Sequence, residues 1–263
     1  MNKIKLIVTD LDGTLLDSNH QLPNDFWEIE QKLFDNNILL AIASGRQFYN
    51  IINVFDKIKE RTLFLAENGT YAFYQGKELF VNTLPKKDAI AFIEIGRKVP
   101  DAYLILCGKN AAYVENSEER FLTEVRKYYS KLEIVSDITQ VSDDVLKVTL
   151  CDFKDVPTNS YLYFKEFENE FKVAISGAIW LDITSFNANK GVAVAYIQDL
   201  LNITFNETMV FGDFLNDYEM MQTGNFSYAM KNAHTDILEI SNFVTNFDNN
   251  SNGVTEIINQ ILI

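Results

Sequence analysis

The sequence predicts an α/β protein with a doubly wound, mostly parallel sheet and a second α/β domain inserted into it. Short apolar runs alternate with stretches of helical period at both ends of the chain. Residues 83–184 instead show helices followed by pairs of strands, which is typical of a mixed sheet faced by helices. We therefore expect a core made of residues 1–82 and 185–263, with an inserted domain over 83–184.

The first core segment combines buried strands with amphipathic helices. Continuous short apolar runs indicate strands of a buried parallel sheet, whereas apolar residues three and four apart indicate helices. Strands are predicted at 4–8, 38–43 and 63–66, helices from Phe26 and from Phe48, and a hairpin over 71–81 that turns at Gln75-Gly76.

The rest of the chain is interpreted on the same grounds. In the insert, helices are predicted over 86–99, 118–129 and 157–168, and strands over 102–107, 111–114, 145–150, 171–176 and 180–184. In the second core segment, helices are predicted over 191–201, 217–222 and 254–262, and strands over 208–211, 226–230 and 243–245.

Composition and charge limit the classes of function. The 263 residues are 47% hydrophobic and 23% charged, with a net charge of −14. Nucleic-acid binding needs clustered Lys and Arg, and the absence of such a cluster in the sequence argues against a nucleic-acid partner. Acidity also suits metal capture because hard cations prefer carboxylate oxygens, although a solvated acidic surface accounts for most of the charge.

The sequence predicts a cytoplasmic protein, as a monomer or weak homodimer, with no membrane partner. No apolar stretch approaches membrane-spanning length, and the run before Asp10 is too short for a signal peptide. Cys107 and Cys151 each end an apolar run without the spacing of a redox or zinc motif. Both are therefore expected to be small buried hydrophobic residues.

Four predicted core strands end in small or polar residues that can carry chemistry. These ends are Asp10, Ser44-Gly45, Asn68-Gly69 and Asp213. Ligands of open α/β sheets bind outside the carboxyl ends of the strands. We expect these residues to meet at one edge of the sheet although they are far apart in the chain.

The first of these segments is Asp10-Leu11-Asp12-Gly13-Thr14. Positions two apart on an extended backbone share a face, so Asp10 and Asp12 could address the same small volume. Two close carboxylates repel unless a cation or a proton lies between them, and Mg²⁺ would supply that charge. A polar turn after a strand is the alternative interpretation of a bare Asp-x-Asp.

Two further segments are suited to an anion. Ser44-Gly45-Arg46 follows a strand and precedes a helix, where free backbone N–H groups favour negative charge. The alternative is that Ser44 is only a helix N-cap. Lys190, followed by Gly191, begins a helix, where a cation is disfavoured unless an anion is nearby; the alternative is an ordinary solvated lysine.

The fourth segment is Gly212-Asp213-Phe214-Leu215-Asn216-Asp217. Asp213 would complete a carboxylate set around a cation, and Asn216 could donate to a phosphate oxygen. Asp217 could be a further metal ligand or a group that orients one. A capped helix start is the alternative, and it suits Asp217 better than Asp213.

Together these segments resemble the four motifs of the haloacid dehalogenase superfamily. Their order and spacing are similar to the Cof-type sugar-phosphatase branch, which carries an α/β cap between the second and third motifs. Glu67-Asn68-Gly69 and Lys231-Asn232-Ala233 are also similar to segments common there. The resemblance implies a Rossmann-like core sheet, an inserted α/β cap domain, and Mg²⁺-dependent hydrolysis of a small phosphorylated metabolite such as a sugar phosphate.

The resemblance also implies residue roles. Asp10 would attack phosphorus to form an aspartyl phosphate, and Asp12 would protonate the leaving alcohol and then activate water. Mg²⁺ would be held by Asp10, the backbone carbonyl of Asp12, and Asp213, with Asp217 a ligand or an orienting group. The phosphoryl group would be bound by Ser44, Gly45, Lys190, Asn216 and the backbone N–H of Leu11.

Two positions depart from the family pattern. Phe214 replaces the Gly usual after Asp213, and we expect it to narrow the mouth of the site or to pack inward. Residues 184–187 read Thr-Ser-Phe-Asn, where Pro-Lys-Gly is common before the lysine. This predicts altered hinge behaviour or substrate contacts at the junction between insert and core.

Other functions remain open at this point. A phosphomutase could use the same phosphoaspartate, and a catalytically silent phosphosugar-binding module could keep the same fold.

Residues 248–253 imitate the start of an EF-hand loop, but the twelfth position is Asn259 rather than Glu, so a turn and helix cap is expected. His20 and His234 are interpreted as isolated surface or packing residues. The insert is expected to close over Asp10 and to select the leaving group.

Overall fold

The protein is described by a computed structural model that covers residues 4–262 and forms two compact units. The first unit runs up to Phe80 and resumes at Asn189, and the second is Val81–Ala188. The sequence placed the corresponding boundaries at 82/83 and 184/185, so the two divisions differ only at the junctions.

The N-terminal segment of the first unit begins with alternating strands and helices and ends with a hairpin. Residues Gln75 and Gly76 both have positive φ, at 50° and 73°, which suits the tight turn of that hairpin. The elements are β1 (Leu6–Thr9), α1 (Phe26–Asp35), β2 (Leu39–Ala43), α2 (Phe48–Val54), β3 (Leu63–Ala66), β4 (Tyr71–Tyr74) and β5 (Lys77–Val81).

The second unit has a mixed pattern of helices and strands. Its elements are α3 (Lys86–Gly96), β6 (Ala102–Gly108), β7 (Ala112–Val114), α4 (Glu119–Tyr128), β8 (Leu132–Ile134), β9 (Val145–Asp152), α5 (Ser160–Phe164), β10 (Phe171–Gly177) and β11 (Trp180–Ser185).

Strict alternation returns in the remainder of the first unit. Its elements are α6 (Lys190–Leu201), β12 (Thr208–Gly212), α7 (Tyr218–Met221), β13 (Phe226–Ala229), α8 (Thr235–Ile240), β14 (Phe243–Val244) and α9 (Gly253–Ile261).

The strands of the first unit form an eight-stranded sheet in the order β14-β13-β12-β1-β2-β3-β4-β5. The pairs from β14 to β3 are parallel, and β4 runs antiparallel to β3. Leu6 and Val8 pack on one face with residues of α6, α7 and α8. On the opposite face Phe64 of β3 contacts Phe48 of α2 and Phe55, while α1 contacts β2 and α9. The predicted doubly wound, mostly parallel α/β fold is confirmed.

The second unit has its own six-stranded sheet in the order β10-β11-β9-β6-β7-β8. Its pairs are antiparallel except for β7 with β8. Helices α3 and α5 pack on one face, where Phe92 and Phe164 are buried. Helix α4 covers the other face through Phe121, Leu122 and Val125.

Some elements differ from the sequence-based predictions. The helix predicted over 157–168 is broken into short pieces, because Pro157 lies in a 3₁₀ turn and Asn159 has a non-helical backbone. Strand β8 and helix α8 were not predicted.

Cys107 and Cys151 are buried as expected, and burial raises the pKa of the Cys151 thiol to about 12. Over residues 4–262, no helix is long and apolar enough to cross a membrane.

Candidate active site

The site is built where the central parallel strands end. Asp10 directly follows β1, Ser44 follows β2 and Asp213 follows β12. Because β1 pairs in parallel with both neighbours, these residues come to the same edge of the sheet. The backbone N–H of Asp10 donates to the carbonyl of Phe211 at 3.0 Å, which extends the ladder to the site itself.

Lys190 connects the two carboxylates deepest in the site. Its Nζ donates to Oδ1 of Asp10 at 2.5 Å and to Oδ1 of Asp217 at 2.7 Å. The side chains of Lys190 and Asp217 are fully buried, so the alternative of a solvated lysine is wrong. Burial works against the charged ammonium, but the charges of Asp10 and Asp217 outweigh it and raise the pKa of Lys190.

Three carboxylates share this small volume. One oxygen from each of Asp10, Asp213 and Asp217 lies within 4.8 Å of the others. Burial raises the pKa of Asp10 well above its usual range, and the charges of Asp217 and Asp213 add to that rise against the opposing effect of Lys190. Burial also raises the pKa of Asp213, to about 6. Full ionisation of the set is therefore unfavourable without a further cation.

Asp217 has both carboxylate oxygens engaged by the protein. Oδ1 accepts from Lys190, while Oδ2 accepts from the backbone N–H groups of Asp213 at 3.0 Å and Phe214 at 3.3 Å. These contacts fix the loop that carries Asp213. Of the two roles expected for Asp217, they favour the one that orients its neighbours.

Asp213 is held against the first motif. Its Oδ1 accepts from the Thr14 hydroxyl at 2.8 Å. Gly13 has a φ of +80°, and a Cβ at this position would lie 2.3 Å from Oδ2 of Asp213. Only glycine therefore allows this close approach without moving the carboxylate. Asn232 adds a contact from its Nδ2 to the carbonyl of Gly13 at 2.8 Å.

Ser44 and Gly45 form a braced turn rather than a helix start. Helix α2 begins at Phe48 with Gln47 in the N-cap position, so the alternative of Ser44 as N-cap is wrong. The buried Ser44 hydroxyl accepts from the N–H of Arg46 at 3.1 Å, which leaves its own O–H to donate elsewhere.

The opposite side of this turn is closed by an amide pair. A Cβ on Gly45 would lie 3.0 Å from Oδ1 of Asn68, and the same oxygen accepts from Nδ2 of Asn216 at 3.1 Å. Asn68 has a φ of +57° and its N–H donates to the carbonyl of Ser44 at 3.0 Å. The structure thus brings Gly45 and Asn216 to the same side of the site through Asn68.

Asp12 differs from the expectation that it shares the volume of Asp10. Its oxygens are not part of the carboxylate group described above, because the backbone leaves the extended form after Asp10 and turns, with the N–H of Leu15 donating to the carbonyl of Asp10 at 3.3 Å. Arg46 instead binds both oxygens of Asp12, with Nε to Oδ2 at 2.8 Å and the second bond from Nη2 to Oδ1.

Two aromatic residues lie near the site: His20 departs from its expectation, whereas for Phe214 one of the two expected alternatives is excluded. His20 lies at the surface as predicted but is not isolated, since its Nδ1 is 3.2 Å from Oδ1 of Asp12 and 3.1 Å from Nη2 of Arg46. Phe214 does not pack inward, because it is 55% exposed with its ring beside His234. His234 packs on that ring and caps α8 through Nδ1.

Five residues that lie in or beside the site had no role assigned from the sequence. Thr14, Arg46, Asn68 and Asn232 belong to segments noted in the sequence, which indicated that they lie near the site. His20 had no such indication, because it reaches Asp12 by a turn closed by its N–H to the carbonyl of Asp17 at 2.9 Å.

Comparison with known proteins identifies relatives along nearly the whole chain. The chain is 29% identical over 262 residues to the 5-amino-6-(5-phospho-D-ribitylamino)uracil phosphatase YbjI of Escherichia coli, with 98% of this chain and 96% of that protein covered. It is 26% identical over 293 residues to the phosphatase YwtE of Bacillus subtilis, which carries the same activity in its name, with 98% of both covered.

Solved structures agree with this relationship. The crystal structure of SMU.1108c from Streptococcus mutans superimposes with a TM-score of 0.88 at 26% identity, covering 99% of each chain. The model of the haloacid dehalogenase-like hydrolase family matches residues 7–258. The predicted family and its Cof-type branch are confirmed, and the chain belongs to the haloacid dehalogenase-like hydrolases as a phosphatase.

Proposed function

We propose that this phosphatase depends on Mg²⁺ and hydrolyses a small phosphorylated metabolite through an aspartyl phosphate on Asp10. The observation that carries the proposal is the surroundings of Asp10 at the end of β1. Its carboxylate lies 2.5 Å from the Lys190 ammonium and shares a volume with Asp213 and Asp217. A nucleophile, a fixed cation for a phosphoryl oxygen and carboxylates for a metal ion therefore converge.

The carboxylate set fits a hard divalent cation. Oxygen donors at this spacing suit Mg²⁺, which usually binds one or two carboxylates and phosphate oxygens. Burial raises the pKa of both Asp10 and Asp213, and the charge of Asp217 adds to each rise, which supports a further cation as the partner of this set. We propose Asp10, Asp213 and the backbone carbonyl of Asp12 as ligands, with Asp217 holding the Asp213 loop. When bound, Mg²⁺ would shield the charge between Asp10 and an incoming phosphate.

The protein's own residues supply the remaining chemistry. An Asp10 oxygen forms a bond to phosphorus while the bond to the ester oxygen breaks, and Asp12 gives the leaving oxygen a proton. Water then attacks phosphorus and passes a proton to Asp12. This attack breaks the bond between phosphorus and the Asp10 oxygen. Phosphate is released and both aspartates return to their starting forms.

The donors around Asp10 are suited to the charge on the phosphoryl group. Lys190 has a third N–H besides the two bound to Asp10 and Asp217. The Ser44 hydroxyl, the second amide N–H of Asn216, and the backbone N–H groups of Leu11 and Gly45 complete the proposed set. Donors fixed before the reaction stabilise developing charge without reorganisation.

The leaving group is proposed from the relatives. Two of them are named as phosphatases of 5-amino-6-(5-phospho-D-ribitylamino)uracil. We propose this compound as the first substrate to test, with sugar phosphates as the next class. We also propose that the unit Val81–Ala188, which corresponds to the insert predicted over 83–184, is the cap that selects the leaving group.

The test is a phosphate-release screen with purified enzyme, with Mg²⁺ or with EDTA. We expect release from the ribityl compound or a sugar phosphate with Mg²⁺, and none with EDTA. Asp10→Asn keeps the shape of the side chain but removes the nucleophile, so turnover should fall by at least about 10³-fold. Circular dichroism should show an unchanged fold. Full activity of Asp10→Asn would rule out the aspartyl phosphate.

The two alternatives give different results in the same screen. A phosphomutase would convert one phosphate isomer into another without releasing phosphate. A phosphosugar-binding module would bind the compound in the presence of Mg²⁺ and leave it intact. Stoichiometric release of phosphate excludes both.

A further inference from the structure

The carboxylate of Asp12 is held by two residues that the proposed reaction has not used. Arg46 binds it as a fork, with Nε to Oδ2 at 2.8 Å and Nη2 to Oδ1. The Nδ1 of His20 lies 3.2 Å from Oδ1 of Asp12 and 3.1 Å from Nη2 of Arg46. A bidentate guanidinium fixes the plane of a carboxylate as well as its position, which a lysine cannot do.

The backbone of Arg46 is itself held in place by hydrogen bonds. The N–H of Arg46 donates to the Ser44 hydroxyl at 3.1 Å, and its carbonyl accepts from the N–H of Glu67 at 3.1 Å. Ser44 is 1% exposed, so the guanidinium extends from a turn anchored in the interior. The Arg46 side chain is itself only 21% exposed.

His20 is also held by its local turn. Its backbone has a φ of +59°, and Asp17 accepts from the N–H groups of both Asn19 and Gln21 at 2.8 Å. The imidazole is 68% exposed, whereas the Asp12 carboxylate between the two partners is 45% exposed. Arg46 and His20 therefore meet at Oδ1 of Asp12 and leave part of the carboxylate open to solvent.

A contribution to stability does not exclude a role in orientation. Exposed ion pairs usually contribute about 0–1 kcal/mol, and a bidentate pair can contribute more, so the test below measures activity rather than stability. The fork uses one lone pair on each oxygen of Asp12, and Oδ2, which His20 does not contact, keeps a second one. Arg46 can therefore orient Asp12 without blocking exchange of a proton with a leaving group or a water molecule.

We propose that Arg46, assisted by His20, is a positioning residue that sets the orientation of Asp12 for proton transfer. The inference rests on the proposed function, since it gives Asp12 the role of acid and base. Arg46 itself neither donates a proton to the substrate nor binds its phosphoryl group. Its effect on turnover is exerted entirely through the Asp12 carboxylate.

The decisive experiment is a double-mutant cycle on Mg²⁺-loaded enzyme with the best substrate of the phosphate-release screen. Arg46→Met keeps much of the side-chain volume and removes the fork. We expect kcat to fall about 10- to 100-fold with KM within about 2-fold, because general acid–base catalysis is commonly worth 10²–10⁴ and a misoriented group loses part of it. In an Asp12→Asn background, the same change should cost less than about 2-fold.

Two further variants make the result specific. Arg46→Lys retains the charge without the fork, so kcat should recover only partly relative to Arg46→Met. Arg61→Met is the control, because Arg61 is a partly exposed arginine of the first unit that pairs with Glu30 at 2.5 Å and precedes β3, at the opposite end of that strand from the site, so kcat should be unchanged. His20→Asn should lower kcat by about 2- to 5-fold, and only when Asp12 is present.

The outcomes separate this inference from the proposed function. If wild-type enzyme releases no phosphate with Mg²⁺, the proposed function fails first. If wild-type enzyme is active but Arg46→Met costs the same in the presence and absence of Asp12, Arg46 acts on the substrate directly and the inference is wrong. A rise in KM at constant kcat, or no change at all, would also overturn it. A crystal structure of Arg46→Lys with a reoriented Asp12 carboxylate would support it even if Arg46→Met folds poorly.

Discussion

At the scale of single residues, Gly13 links backbone conformation to the carboxylate that the proposed metal needs. Its φ of +80° disfavours any side chain, and a Cβ there would lie 2.3 Å from Asp213. Gly76, in the hairpin turn, has a similar φ of +73° but nothing within 4 Å of the same Cβ position. Comparing substitutions at the two glycines therefore separates two losses of stability: the loss from placing a side chain on a left-handed backbone, and the loss from displacing Asp213.

We predict that Gly13→Ala loses more stability than Gly76→Ala and that, unlike Gly76→Ala, it also loses activity. Each should lower the free energy of unfolding by about 1–2 kcal/mol through the left-handed backbone. Gly13→Ala should also lose most phosphate release, because Asp213 must move. Urea denaturation and a phosphate assay at saturating Mg²⁺ measure the two effects. Equal activity of both variants would mean that the position of Asp213 is not critical.

Single residues also show what sequence can and cannot provide. Asp10, Ser44, Lys190 and Asp213 were identified because each stands where a strand or a helix begins or ends, and such positions are visible in the hydrophobic pattern. The pairing of Arg46 with Asp12 was not predicted, since it depends on side-chain directions after the backbone turns at Asp10. His20 was missed for the same reason, because a single surface histidine adds nothing to the spacing of apolar residues on which the predictions were based.

At the scale of elements, the strength of the apolar pattern decided which predictions were accurate. Strands β1, β2, β3 and β12 are short apolar runs that the parallel sheet buries on both faces, and all four were predicted. The helix predicted over 157–168 was wrong in its continuity, because Pro157 and Asn159 override the spacing of the apolar residues. Strand β8 has only three residues, which is too short for a pattern.

Helix α6 offers a direct test of how the site is supported, because it carries Lys190 at its first position. Ile197 of this helix is fully buried against the core sheet, whereas Leu200 is 47% exposed. We predict that Ile197→Ala lowers the free energy of unfolding by about 2–5 kcal/mol through lost burial and a cavity. Leu200→Ala should change it by less than about 0.5 kcal/mol.

Urea denaturation followed by circular dichroism measures this difference. Activity at a temperature where both variants remain folded should be retained, because neither residue contacts Asp10 or Lys190 in the contacts described above. A loss for Leu200→Ala as large as that for Ile197→Ala would show that the outer face of α6 is covered by another surface.

At the scale of the whole molecule, the carboxylate set connects folding stability to pH and to metal. Burial raises the pKa of Asp213 from an ordinary value of 3.8 to about 6. The folded state therefore holds more protons than the unfolded state between these values. Stability falls with rising pH wherever the folded state binds more protons. The contribution of Asp213 is thus favourable at pH 4 relative to pH 7 in the absence of metal.

We predict that Asp213→Asn reverses its effect on stability when Mg²⁺ is added. In EDTA at pH 7 the variant should be more stable than wild type by about 1–3 kcal/mol, because it removes a buried charge that repels Asp217. At pH 4 this difference should shrink, since Asp213 is then protonated in the folded state. With Mg²⁺ at about 100 times its dissociation constant, wild type should gain about 2.7 kcal/mol and the variant much less.

Differential scanning calorimetry at pH 4, 6 and 7, with EDTA or with Mg²⁺, measures each of these differences. Asp199→Asn, on an exposed position of α6, is the control and should follow wild type throughout. Asp137 and Glu207 have pKa values lowered to about 2, so their contribution to stability is lost only as the pH falls below about 4. Wild type and both variants share these two carboxyls, so they do not affect the comparison. If Asp213→Asn is less stable than wild type in EDTA at pH 7, the charges of the site are already balanced by the protein. In that case the electrostatic argument for a bound cation fails, whereas equal stabilisation of both proteins by Mg²⁺ would place the ion away from Asp213.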